Sequence, residues 1–302
     1  MISVSALFGL TAAFLFALAA ALQQKGSLGL PKISLGDPTS LLRLAAQRTW
    51  LLGTGALLLG YVFQAAALDR GRLSIVEPLL VTTVVFALPL GHFLTGQHVG
   101  RKEVIGAGVI LLGLAAFTVY GDPAGGRSNA PNDEWALTIG LLLAVCLVLM
   151  SLARGRSPVG RAALYGTVAG VLFGLSASLA KPTLEMLHEG LDVVLSHWQV
   201  YALLLLGGLA FVVQQVSLST GHLAPSVATV SVANPVVCIL IGVLLLEERL
   251  SRPAWHVVVA VTGLLLALGG AVVIALRRDV DREASPRDAS PDQPATEAAP
   301  ST

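Results

Sequence analysis

Glu77 is followed by Pro78 inside a long apolar stretch, and that pair is where chemistry is easiest to place in this chain. Proline removes the backbone hydrogen bond one turn earlier and frees a carbonyl near residue 74. A carboxylate beside a freed carbonyl supplies hard oxygen ligands, suited to a magnesium-type cation or to a proton. Glu77 is therefore the one candidate metal ligand; the alternative places it at the outer interface, about four residues into its span. Gln64 and Gln214 stand in matching contexts, Tyr61-Val-Phe-Gln64 and Phe211-Val-Val-Gln214, with Gln215 beside the second. Amides bind a polar solute without the desolvation cost of a charge, though they serve equally well as bonds between helices. Asn234-Pro235 either lines a pocket with exposed carbonyls or merely kinks its segment.

Other polar positions have two readings each. His92 changes charge near neutral pH and would suit proton coupling, while a lone histidine also fits simple packing. Tyr61 is a gating candidate or a packing aromatic. Lys181-Pro182 meets an anionic solute or snorkels to the interface. Glu247 and Glu248, with Arg249 and Arg252 nearby, read as a solvated cap with local pairing. An enzyme would want paired carboxylates with histidine or a nucleophile with a base, and the six histidines are scattered, with no close pair such as a metal motif requires. An enzyme is not expected, and no cofactor is implied.

The elements that must carry these residues are membrane helices. The chain is 55% hydrophobic and 12% charged, about half the charge of a soluble domain, and its mean hydropathy is +0.78. A net charge of +1 with no basic tract argues against a nucleic-acid partner. Cys146 and Cys238 lie in apolar runs and read as small hydrophobes. Nine spans are expected: Ser3–Leu22, Trp50–Leu68, Leu73–Leu94, Val104–Tyr120, Trp135–Ala153, Ala162–Ala180, Trp198–Leu218, Leu223–Leu246 and Ala254–Leu276. Residues 1–22 read as a retained helix rather than a leader, since no positive charge precedes the apolar core. Residues 279–302 turn to Asp, Arg, Ser, Pro and Ala and read as a disordered tail. Lys and Arg favour one side of the membrane, thirteen against six, which puts the amino terminus outside and the tail in the cytoplasm.

The spans repeat. Gly71-Arg-Leu73 returns as Gly221-His-Leu223, and Leu7-Phe-Gly9 with Leu15-Phe-Ala-Leu18 returns as Leu164-Tyr-Gly166 with Leu172-Phe-Gly-Leu175. Spans 1 to 4 thus pair with 6 to 9, and span 5 has no mate. A five-helix unit is odd-numbered, so its second copy enters from the opposite face. The fold class expected is an all-α polytopic membrane protein of about nine transmembrane helices in an inverted 5+4 repeat. Residues 1–153 form the first repeat, 154–278 the second, and 279–302 the tail. Such repeats suit alternating access around a midplane site, here Gln64, Glu77, Gln214, Gln215 and Asn234. Gly106, Gly108 and Gly113 on span 4, and Gly263, Gly269 and Gly270 on span 9, allow close approach between bundles or a homodimer seam.

These residues resemble the drug/metabolite transporter superfamily, and within it most closely the NIPA-type magnesium transporter branch. The likeness is carried by Gln23-Gln-Lys-Gly26, Trp50-Leu-Leu-Gly53, Ala65-Ala-Ala-Leu68, Leu73-Ser-Ile-Val-Glu-Pro-Leu79, Gly106-Ala-Gly-Val-Ile-Leu-Leu-Gly113 and Val227-Ala-Thr-Val-Ser-Val-Ala-Asn-Pro235. It implies a plasma-membrane secondary carrier of a small polar solute or cation, with a magnesium-like divalent ion favoured. Glu247-Glu-Arg-Leu250 also resembles EamA-type members, which implies the alternative of an exporter of amino acids or other metabolites. The chain departs from the patterns at Gly96-Gln-His-Val99, where an acidic pair would fall, and at Glu77, where the NIPA pattern tends to threonine. Beyond these two classes, a membrane scaffold or sensor needs neither matched polar positions nor a proline break in each half.

Overall fold

The structure, a computed structural model, describes residues 4–28, 30, 38–70, 79–97, 99–121, 127, 129–247 and 253–283. Among them are eleven helices: α1 Val4–Ser27, α2 Pro38–Ala45, α3 Arg48–Arg70, α4 Thr83–Thr95, α5 Arg101–Gly121, α6 Asn132–Ala153, α7 Pro158–Glu189, α8 Leu191–Ser196, α9 Trp198–Leu218, α10 Leu223–Leu244 and α11 Ala254–Glu283. Eight are long and apolar enough to cross a membrane, and the shorter apolar stretch Leu79–Thr95 stands where the third span was expected. Large apolar side chains cover the outside, as with Leu137 and Leu205, both more than 70% exposed. A surface of this kind belongs in hydrocarbon, where helices keep every backbone polar group satisfied. The chain is a polytopic helical membrane protein.

Several elements differ from expectation, α1 among them, which runs past Leu22 to Ser27. Helix α7 continues past Ala180 to Glu189, with Pro182 inside it. Helix α11 runs past Leu276 to Glu283, because no proline or glycine interrupts the sequence until Pro286. The tail is thus helical over its first five residues, while 284–302 lie outside the described part. The short helix α2, between the first two spans, went unforeseen; its Leu44 is fully buried against Val216.

Packing contacts come in matched sets. Helix α1 packs on α3 and α4, and α7 packs on α9 and α10; α4 touches α5, and α10 touches α11. Helices α4 and α10 meet each other, and so do α5 and α11. Helix α6 packs chiefly on α7 and is otherwise exposed.

The α5–α11 crossing is built on glycine. A Cβ on Gly113 would lie 2.8 Å from the backbone nitrogen of Ala267, and one on Gly263 would lie 2.5 Å from the carbonyl oxygen of Gly113. A Cβ on Gly106 would lie 3.2 Å from the Gly270 carbonyl oxygen, and one on Gly270 would lie 2.8 Å from the Gly106 carbonyl oxygen. Gly106 therefore faces Gly270 while Gly113 faces Gly263, so the two helices run antiparallel. Both helices carry their two glycines at the same spacing of seven. A local two-fold perpendicular to the helices exchanges the two pairs. Gly108 and Gly269 meet nothing within 4 Å and take no part. Of the two seams foreseen, these four glycines build the one inside the chain.

A second stripe of small residues joins α7 to α10. Cβ atoms on Gly166, Gly170 and Gly174 would run into Ser226, Val230 with Ala233, and Asn234 with Val237. The spacing of four keeps all three on one helix face, and their smallness lets the backbones approach.

Candidate functional site

While Ser5, Ser178 and Gln199 lie toward one end of the bundle, most of the buried polar groups collect at the other. The carboxyl ends of α1, α4 and α9 meet the amino ends of α3 and α10 there. Two glycines shape the turns that make this possible. Gly96 ends α4 at φ 67°, a left-handed conformation that favours glycine. Its N–H and that of Gln97 return to the His92 and Gly91 carbonyls, the Gly96 bond being the closure of an αL cap. Gly221, at φ +84°, turns the chain from α9 into α10.

Four glutamines form the network. Gln23, Gln24 and Gln215 are each at most 2% exposed. The Gln97 amide donates to Gln24 Oε1 at 2.5 Å and to Thr95 Oγ1 at 2.8 Å. Gln97 Oε1 accepts the Leu223 backbone N–H at 3.0 Å, and Gln24 Nε2 donates to the Leu218 carbonyl at 3.3 Å. Beside this chain, Trp50 Nε1 donates to Gln215 Oε1 at 2.9 Å, and Gln215 Nε2 donates to Gln23 Oε1 at 3.1 Å. Gln23 in turn reaches Thr54 Oγ1 at 3.4 Å. The Trp50 ring also stands edge-on to Phe211, with centroids 6.1 Å apart. Buried amides are costly unless paired, and these are paired across the gap between α1, α3 and α4 on one side and α9 and α10 on the other.

The residues expected to form one midplane site are distributed differently. Gln215 belongs to the network, one turn from the end of α9. Gln214 beside it is half-buried. Gln64 lies far away: α3 begins at the network with Trp50, and the rise from Trp50 to Gln64 is about 21 Å. The physical reason is the direction of the helices. Both matched glutamines sit beyond the middle of their helices, and antiparallel mates carry such residues to opposite ends rather than to a common centre. Asn234 is half-buried in the α7–α10 seam, its Oδ1 3.5 Å from Cys238 Sγ. Helix α10 continues through Pro235 without a break. Glu77, Pro78, Glu248, Arg249 and Arg252 lie outside the described residues.

Tyr61 is 52% exposed and packs edge-on against Phe16 on the outer surface of α3. His92 is exposed at the end of α4, its Nδ1 2.9 Å from the Gln97 carbonyl oxygen. Neither stands in the network's interior. Glu247 pairs with Arg127 at 3.8 Å, a partner on the segment before α6 that the sequence did not single out. Arg127 also bonds Glu134, and it donates through its backbone N–H and its Nε to the Leu246 and Leu245 carbonyls at 2.8 and 2.9 Å. Cys146 is buried and Cys238 half-buried, both as free thiols.

No protein-family model matches the chain, and no solved structure gives a significant match. Two curated proteins are similar to it along most of its length. An uncharacterised protein of Corynebacterium glutamicum is 28% identical over 270 residues, 89% of this chain and 93% of that protein. The Arabidopsis thaliana protein named Probable magnesium transporter NIPA9 is 23% identical over 271 residues, 85% of this chain and 78% of that protein.

Missed by the sequence reading were the roles of Gln24, Gln97, Trp50 and Thr54. A signal was present: two adjacent amides close an otherwise apolar helix at Gln23-Gln24. Uncharged residues there have no reason to be amides unless something receives their hydrogen bonds.

Proposed function

We propose that the protein is a secondary transporter of the inverted-repeat type, carrying a small polar solute or cation, with a magnesium-like divalent cation favoured. The observation that carries this reading is the glycine crossing of α5 and α11. Repeat mates that cross antiparallel about a two-fold perpendicular to their axes have opposite orientations in the bilayer. That is the architecture in which one bundle rocks against the other. The matched contacts of α1, α3 and α4 with those of α7, α9 and α10 support the same symmetry.

The choice of cation rests on the likeness to the Arabidopsis protein and on Glu77 beside Pro78. In this reading the plasma membrane holds the chain with its amino terminus outside and its tail in the cytoplasm. The bilayer and the transported solute are then its partners, and homodimers are compatible with its exposed α6. The EamA-like features at Glu247-Glu-Arg-Leu250 keep a metabolite exporter as the alternative. Purified protein in liposomes, assayed for flux of magnesium against a panel of amino acids and other metabolites, separates the two. Magnesium flux with no response to metabolites supports the cation reading; metabolite flux alone moves the protein to the exporter class. Glu77→Gln is expected to abolish cation-dependent flux at unchanged membrane abundance, and retained flux removes Glu77 from the mechanism.

A further inference from the structure

We propose that the glutamine network is the gate that closes the transport path at its end of the bundle, an inference that rests on the transporter reading above. Three features single it out. First, its principal bonds cross between the helices that would move against each other. Gln24 and Gln97 on α1 and after α4 hold the Leu218 carbonyl and the Leu223 N–H, while Trp50 and Gln23 hold Gln215. Second, every one of these bonds is between uncharged groups. Hydrogen bonds from side-chain amides between membrane helices are weak individually, and the unpaired amide finds other partners, so such a seal opens without exposing a charge to hydrocarbon. Third, the packing directly beneath is apolar and tight. Leu223, 1% exposed, presses on Gly91, and Ala17, Ala21, Ala87 and Leu88 close the core below it. A small pocket lined by Ala87, Leu88, Gly91, Gln97, Glu103 and Leu223 lies between this core and the amides.

A crosslink tests the gate directly. A Cβ on Gly91 would lie 3.7 Å from the Cβ of Leu223, which matches the separation of about 3.8 Å in a disulfide. In full-length protein carrying Cys146→Ala and Cys238→Ala, the pair Gly91→Cys with Leu223→Cys is oxidised in liposomes. Locked protein is expected to carry magnesium at the rate of empty liposomes, and reduction is expected to restore flux. Flux in the locked protein equal to that in the reduced protein overturns the gate. A second measurement needs no solute. Leu223→Cys alone, in the same background, is labelled with a hydrophilic maleimide with and without Gln24→Ala and Gln97→Ala. Removing the cross-bundle bonds is expected to raise the labelling rate about tenfold, the factor for losing two interhelical bonds of ordinary strength. Equal labelling in both backgrounds overturns the gate even if magnesium proves not to be the solute. A rise in labelling without any magnesium flux upholds the gate and rejects the cation instead.

Discussion

Two glycine-to-alanine changes five residues apart on α5 should have opposite effects. At Gly113 the new methyl would lie 2.8 Å from the Ala267 nitrogen and 3.2 Å from the Ala267 Cβ, with the Gly263 carbonyl closer still. Ordinary contact begins near 3.5 Å, so α5 and α11 must part by roughly 0.7 Å or more. The obstacles are mainly backbone, which cannot rotate aside. Overpacking of this kind costs about 1–3 kcal/mol. At Gly108 a methyl meets nothing within 4 Å, and alanine in place of glycine favours a helix by up to about 1 kcal/mol. A gap of roughly 2 kcal/mol between the variants corresponds to about a 30-fold difference in folding equilibrium. It separates their melting temperatures by about 4–8 °C. Thermal unfolding of both variants in one detergent reads this out. If Gly113→Ala and Gly108→Ala melt together, the glycine crossing is not the close contact described, and the two-fold derived from it falls.

Other substitutions probe the remaining parts. Gly106→Ala should be milder than Gly113→Ala, because its closest obstacle is the rotatable Ile274 side chain; the same melting series ranks them. Trp50→Phe keeps the ring beside Phe211 but removes the N–H held by Gln215, and should lower stability by about 0.6–1.7 kcal/mol in a detergent melt. Arg127→Gln frees Glu134 and Glu247 and weakens the hold on the end of α10; faster amide exchange at residues 245–247 is the expected sign. Tyr61→Ala should leave solute flux unchanged, since the ring lies on the outer surface; lost flux would return Tyr61 to the transport path.

The helices were legible because long apolar runs in a bilayer have only one backbone solution. The glycine seam was legible because Gly106 and Gly113 recur as Gly263 and Gly270 with the same spacing of seven. What could not be read was which residues share a height in the membrane. The likeness of Gln64 to Gln214 was real as a pattern, yet in an inverted repeat a shared pattern means mirrored depth. Only near the middle of a helix do the mates meet. The network partners come from five separate segments, so Gln24 finds Gln97 and Leu218 through the fold and not through any spacing in the chain. Helix ends were missed for a simpler reason: the polar turns of α7 beyond Pro182 and of α11 beyond Leu276 carry helix formers without an apolar signal.

The central claim is that this chain moves a cation through a path sealed by the glutamine network. Magnesium uptake into dye-loaded liposomes, measured on the Gly91→Cys/Leu223→Cys protein before oxidation, after oxidation and after reduction, tests it most directly. Saturable, protein-dependent uptake that stops on oxidation and returns on reduction is the predicted result. Uptake that continues at the same rate through all three states would contradict the account.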